Sequence, residues 1–135
     1  EERRGDVIDL FAELSQTCAE ERNSLLCVTH DLYFAKKIAT HIHVMYAGQI
    51  LESSGCEVFF QATLHPYSQM MINSLPEHGF QYPKGFAPSH EEYDGLGCRF
   101  AGRCPKAQAG CFLEKPPVLA AGERQVRCHH VSQSR

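Results

Sequence analysis

The sequence predicts an α/β fold followed by a small irregular cysteine-rich extension. Three observations carry this. A short continuous apolar run, Ser24–Thr29, lies between two segments of helical period. An alternating stretch with a glycine turn and then a proline-punctuated helical stretch follow it. Four of the seven cysteines fall between Cys98 and Cys128. The bulk composition is compatible with one folded domain: 135 residues, 43% hydrophobic and 21% charged. A net charge of -3 gives no broad basic surface, so nucleic acid is not an expected partner. No apolar run approaches the ~18 residues that span a bilayer, so no direct membrane span is expected.

The elements are expected in this order. Val7, Ile8, Phe11 and Leu14 stand at helical spacing, with Asp6 as N-cap and an end near Glu20. Ser24–Thr29 reads as a strand buried on both faces, as in a parallel sheet. Asp31 caps a second helix whose inner face carries Leu32, Ala35, Ile38 and Ala39. Ile42, Val44 and Tyr46 alternate, Ala47-Gly48 turns the chain, and Ile50 and Leu51 resume, which reads as a β-hairpin. Two short helices follow, broken at Leu64-His65-Pro66, with Pro66 at the first position of the second. Pro76 to Gly97 is rich in Gly, Pro and charge and reads as a linker. One buried strand makes no sheet by itself, so the α/β part reads as the end of a larger domain.

Two residue sets can carry chemistry. His30-Asp31 lies directly beyond the carboxyl end of the expected strand, where open α/β sheets bind ligands. A histidine there can bond a phosphate oxygen or an attacking water; the alternative is a capping Asp beside an ordinary surface His. The second set is Cys98-x5-Cys104-x6-Cys111-x16-Cys128. Four converging thiolates bind Zn²⁺ or an iron–sulfur cluster; the alternative is four buried or free thiols acting as small hydrophobes. The few large apolar residues in that segment favour ligation. Closely spaced C-x₂₋₄-C pairs are missing and Cys104-Pro105 is present, which leans towards [4Fe–4S], with zinc as runner-up. His129 and His130 are spare ligands. Arg99, Arg103, Lys106, Arg124 and Arg127 either lower the thiol pKa values or form a solvated basic surface. Cys27 reads as a packed strand residue, Cys18 and Cys56 as incidental, and His41 and His43 as one solvated hairpin face.

The stretch LLCVTHDLYFAKKIATHIHVMYAGQILESSG resembles the histidine-switch region of an ABC-transporter ATPase. Phe60, Leu64-His65-Pro66-Tyr67-Ser68 and Ser74-Leu75-Pro76 resemble the pattern of ATP-binding subunits of the peptide/nickel importer group. Gly97-Cys98-Arg99-Phe100, Arg103-Cys104-Pro105, Cys111 and Cys128 resemble that group's C-terminal extension. Glu52-Ser53-Ser54-Gly55, Gly102 and Thr63 depart from the pattern in loop detail.

The resemblance implies a division into residues 1–76, the C-terminal part of an ABC-type nucleotide-binding domain; 77–97, a linker; 98–130, the Cys-rich extension; and 131–135, a tail. It implies that His30 contacts the γ-phosphate and its water, with ATP and Mg only in a complete domain. It also implies a [4Fe–4S] cluster on Cys98, Cys104, Cys111 and Cys128. The expected partners are membrane-spanning permease subunits and a second ATPase subunit, at the cytoplasmic face of the inner membrane as a peripheral protein. The chain has no G-x-x-x-x-G-K-S/T loop, no signature motif and no apolar strand ending in Asp-Glu. It is therefore expected to be part of a longer subunit and to be inactive alone. The alternative from another class is a stand-alone metal- or cluster-binding module.

Overall fold

The structure is a computed structural model of the 135-residue chain. It describes residues 2–79, 85–86, 93 and 95–131. Most of the expected linker, at 80–84, 87–92 and 94, and the tail from 132 onward lie outside the described residues. The chain divides into two compact units, Glu1–Thr40 and His41–Arg135.

The first unit holds α1 (Glu2–Glu20) and α2 (Leu32–Ile38). α1 is already helical at Glu2, so Asp6 lies inside it and is not its N-cap. Glutamate and arginine are good helix formers, which carries the helix back past the expected start. α1 closes with Arg22 in the left-handed region at φ 59, as Asn23 N–H donates to the Cys18 carbonyl at 2.7 Å. Phe11 meets Phe34 of α2 edge to face with ring centroids 5.2 Å apart. Asp31 caps α2 as expected: its Oδ1 accepts from Phe34 N–H at 3.0 Å.

Ser24–Thr29 does not form the expected buried strand. Residues 23–29 have no regular structure, and Leu26 and Val28 are 85% and 93% exposed. A parallel strand needs a neighbour on each edge and a layer on each face. Among the described residues no strand pairs with this segment, so its apolar pattern goes unused. Cys27 is exposed rather than packed.

The second unit contains all the buried residues described. β1 (His41–Tyr46) and β2 (Gln49–Gly55) form the expected hairpin. Its two turn residues both take positive φ, 48° at Ala47 and 75° at Gly48, the geometry that matches strand twist in a two-residue hairpin. Val44 pairs with Glu52 and Met45 with Ile50, so Leu51 is an extra residue in β2. The bulge breaks the alternation and lets adjacent Leu51 and Glu52 both be buried.

The hairpin continues into α3 (Cys56–Gln61) and α4 (Pro66–Asn73), broken where expected. Cys56, which reads as incidental in the sequence, is buried at the start of α3. The region after Gly97 is less irregular than expected. It contains α5 (Ala109–Leu113), β3 (Val118–Ala121) and β4 (Arg124–Arg127). All four strands form one antiparallel sheet in the order β1-β2-β4-β3, with Glu52 opposite Val126 and Ser53 opposite Gln125. Strands of four residues are too short to display a period of two, and only pairing with β2 reveals them. The central cluster is Tyr46, Leu51 and Phe100, with Tyr67, Met70, Cys98 and Cys104 packed against it.

Candidate functional site: four thiols held against the hairpin

The four cysteines of the C-terminal segment come from four local structures. Cys98 precedes a 3-10 turn at Ala101–Arg103, and Cys104 closes that turn. Cys111 lies in α5, and Cys128 directly follows β4. Cys98 N–H donates to the Cys111 carbonyl at 2.7 Å, which ties the first and third together. Gly97 permits this approach, because a Cβ there would lie 2.5 Å from the Cys111 oxygen and from the Phe112 carbonyl. Cys111 and Cys128 are buried; Cys98 and Cys104 are half-buried.

The thiols act on one another electrostatically. Burial pushes the Cys98, Cys104 and Cys128 thiols up from their usual range. Neighbouring thiols push further: Cys128 and Cys111 act on Cys98, all three others act on Cys104, and Cys111 acts on Cys128. Opposing this, each of these three sulfurs is approached by the backbone two residues on, at Phe100, Lys106 and His130. His130 N–H lies 3.4 Å from Cys128 Sγ, and His130 Nε2 lies 3.5 Å from Cys111 Sγ. His130 is thus the histidine at the thiols, whereas His129 Nε2 bonds the Glu114 carbonyl at 2.9 Å.

The arginines do different work from either role read in the sequence. Arg99 donates to the Ala47 carbonyl in the hairpin turn. Arg103 reaches the Tyr46 hydroxyl at 3.5 Å and lies over the Tyr46 ring. Arg124 pairs with Glu52 at 3.3 Å and donates to the Ala62 carbonyl. Arg127 Nε bonds the Ile50 carbonyl at 3.4 Å. They staple the C-terminal segment to the hairpin; of the basic residues expected to act on the thiols, only Lys106 pulls one down, at Cys128.

Sequence reasoning missed Glu52, the carboxylate that Arg124 meets. Glu52 is 1% exposed. Its Oε1 and Oε2 accept from Leu64 and His65 N–H, each at 2.8 Å, and Oε1 also takes the Arg124 contact. His65 is likewise 1% exposed and caps α4, its Nδ1 accepting from Tyr67 N–H at 3.0 Å. Burial lowers the His65 pKa to about 4, so the ring is neutral. The Arg127 backbone acts on the same ring and partly opposes the effect of burial. The signal was present in Leu64-His65-Pro66, but only the helix-start role of Pro66 follows from sequence.

Among the described residues, no group of three or more Cys, His, Asp or Glu side chains closes around a single metal ion. Sulfurs at about 2.3 Å from one zinc would have to crowd within roughly 4 Å of each other. Neither the expected [4Fe–4S] cluster nor the runner-up zinc on the four cysteines is supported by this arrangement. The donor chemistry that is present is a looser set of four thiols with backbone N–H groups directed at three of them.

His30, the other candidate, is exposed and immediately precedes Asp31 and α2. Asp31 N–H donates to Thr29 Oγ1 at 3.0 Å, a local turn that carries the chain into the helix. His41 and His43 are exposed, and His43 Nδ1 lies 2.8 Å from Ser53 Oγ across the hairpin.

Residues 51–111 match the family described as oligopeptide/dipeptide transporter, C-terminal region. The chain belongs to this family of ABC-transporter ATP-binding proteins and carries their C-terminal region. It is 35% identical over 134 residues to the dipeptide transport ATP-binding protein DppD of Escherichia coli (strain K12), covering 94% of this chain and 39% of that protein. It is 34% identical over 131 residues to the oligopeptide transport ATP-binding protein AppD of Bacillus subtilis (strain 168), covering 93% and 39%. Against the peptide transport system ATP-binding protein SapD of Haemophilus influenzae the figures are 30% over 133 residues, covering 92% and 37%. The chain thus spans well under half the length of these relatives. No helix among the described residues is long and apolar enough to cross a membrane.

Proposed function

We propose that this chain forms the C-terminal part of the ATP-hydrolysing subunit of an ABC importer for peptides or a related small solute such as nickel or glutathione. The observation that carries this is the match to ATP-binding proteins of peptide transport over nearly the whole chain, in both compact units. A match confined to the cysteine segment would have favoured a stand-alone metal module. In the complete subunit, His30 contacts the γ-phosphate of ATP–Mg and orders the attacking water. Its exposed position at the start of α2 supports that role. Two such subunits sandwich nucleotide and drive membrane-spanning permease subunits from the cytoplasmic face of the inner membrane. This chain alone carries no phosphate loop and neither binds ATP tightly nor hydrolyses it.

Cys98, Cys104, Cys111 and Cys128 hold a [4Fe–4S] cluster in this reading. When bound, the cluster supplies cross-linking of four chain segments rather than a redox step, since transport needs none. Support comes from the action of the thiols on one another and from the N–H groups aimed at three of them, which favour the thiolate form of a ligand. The complete subunit purified without oxygen should be brown with about four irons per chain. In it, His30→Ala should lower ATP turnover about 100-fold, the scale of losing one transition-state contact. A colourless, iron-free subunit would remove the cluster, and unimpaired turnover in His30→Ala would remove the histidine's role.

A further inference from the structure

We propose that Glu52 and His65 are positioning residues for the thiol centre, although neither touches a sulfur. Together they fix β4 on the hairpin and so place Cys128 against the other three thiols. The inference rests on the four thiols acting as one centre, and is independent of which metal they take.

Cys128 is the residue directly after β4, so where β4 sits decides where its sulfur lies. β4 is a strand of four residues between β2 and β3. Its register on β2 comprises two pairs, Glu52 with Val126 and Ser53 with Gln125. Its other partner, β3, is an edge strand of four residues. Contacts outside the ladder complete the attachment at both ends of β4, among them Arg124 to the Ala62 carbonyl and Arg127 Nε to the Ile50 carbonyl at 3.4 Å. At the first residue, Arg124 meets the Glu52 carboxylate. At the last, the Arg127 backbone meets the His65 ring. Glu52 also holds the Leu64 and His65 N–H groups, so one buried carboxylate orients both the arginine and the imidazole.

The other side of the centre is placed by the same turn. Phe100, fully buried between Cys98 and Cys104, packs on His65 at 5.7 Å and on Tyr67 at 5.2 Å between ring centroids. The His-Pro-Tyr turn therefore packs on the chain between Cys98 and Cys104. Removing the Glu52 charge leaves Arg124 without its anion and weakens the grip on the turn. The consequence specific to positioning is release of Cys128 while the hairpin survives.

The test is the alkylation rate of each cysteine by N-ethylmaleimide in the reduced, metal-free full chain, read by mass spectrometry. Two cysteines serve as internal standards: exposed Cys27 and buried Cys56 at the start of α3. In Glu52→Gln, Cys128 should react about tenfold faster while Cys56 stays protected, the scale of one lost charge-assisted hydrogen bond. Arg124→Leu should do the same, and Arg124→Lys, which keeps a cation opposite Glu52, should restore slow reaction. An unchanged Cys128 rate in both Glu52→Gln and Arg124→Leu overturns the proposal. So does a rise at Cys56 matching that at Cys128, which would make Glu52 a general fold residue. Because no metal is present, the result stands apart from whether the centre binds iron.

Discussion

His65 shows how much one side chain can join. It is 1% exposed and caps α4 through Nδ1, which accepts from Tyr67 N–H and so carries no proton. Its pKa is lowered from 6.5 to about 4 by burial, so the folded chain refuses a proton that the unfolded chain accepts. This contribution is fully present above pH 6.5 and is lost as pH falls towards 4. Between pH 7 and pH 5 it should remove about 2 kcal/mol from unfolding free energy. Urea unfolding at both pH values checks this, and His65→Gln should lose that part of the slope. A variant as steep as the native chain would show that the slope arises elsewhere. Glu52 was not legible in the same way. A glutamate in a strand reads as solvent-facing, and nothing in Leu51-Glu52-Ser53 announces a bulge that buries two neighbours together.

At the scale of elements, legibility followed length and punctuation. The hairpin was readable because Ile42, Val44 and Tyr46 alternate and Gly48 marks the turn; α3 and α4 were readable because Pro66 separates them. β3 and β4 were not, because four residues cannot display a period. Ser24–Thr29 failed in the opposite sense: the pattern is there, but among the described residues no partner strand satisfies it. The Gly97 backbone lies close against α5. In Gly97→Ala the new methyl meets main-chain atoms at 2.5 Å, which cannot rotate aside. The variant should lose about 2 to 3 kcal/mol of stability, the usual cost of forced overpacking. Thermal melting measures the loss, and a melting curve matching the native one would mean that α5 slides freely.

For the whole molecule, the question is whether the cysteine segment is a separate appendage. The sheet places β3 and β4 on β2, and Phe100 packs on Tyr46 of the hairpin at 5.3 Å and on Tyr67 of α4 at 5.2 Å. Hairpin, His-Pro-Tyr turn and cysteine segment should then unfold together. Phe100→Ala should cost about 3 to 5 kcal/mol, as for other large buried aromatics. Amide hydrogen exchange should report that loss equally in β1–β2 and in β3–β4. Loss confined to β3–β4 would make the cysteine segment an independent unit.

The sequence by itself determined the family, through His30-Asp31, Leu64-His65-Pro66-Tyr67 and the Cys98–Cys128 spacing, because these are local patterns readable residue by residue. It also determined the hairpin and the start of α4, whose signals lie within a few residues of one another. Only the tertiary structure decided that the arginines near the cysteines grip the hairpin and that Glu52 lies at the centre of the unit. It alone joined four strands from both halves of the second unit into one sheet. Those facts depend on contacts between residues as far apart as Glu52 and Arg124. Pairings at that separation are set by which buried charges and rings can satisfy one another, and a one-dimensional pattern does not display them.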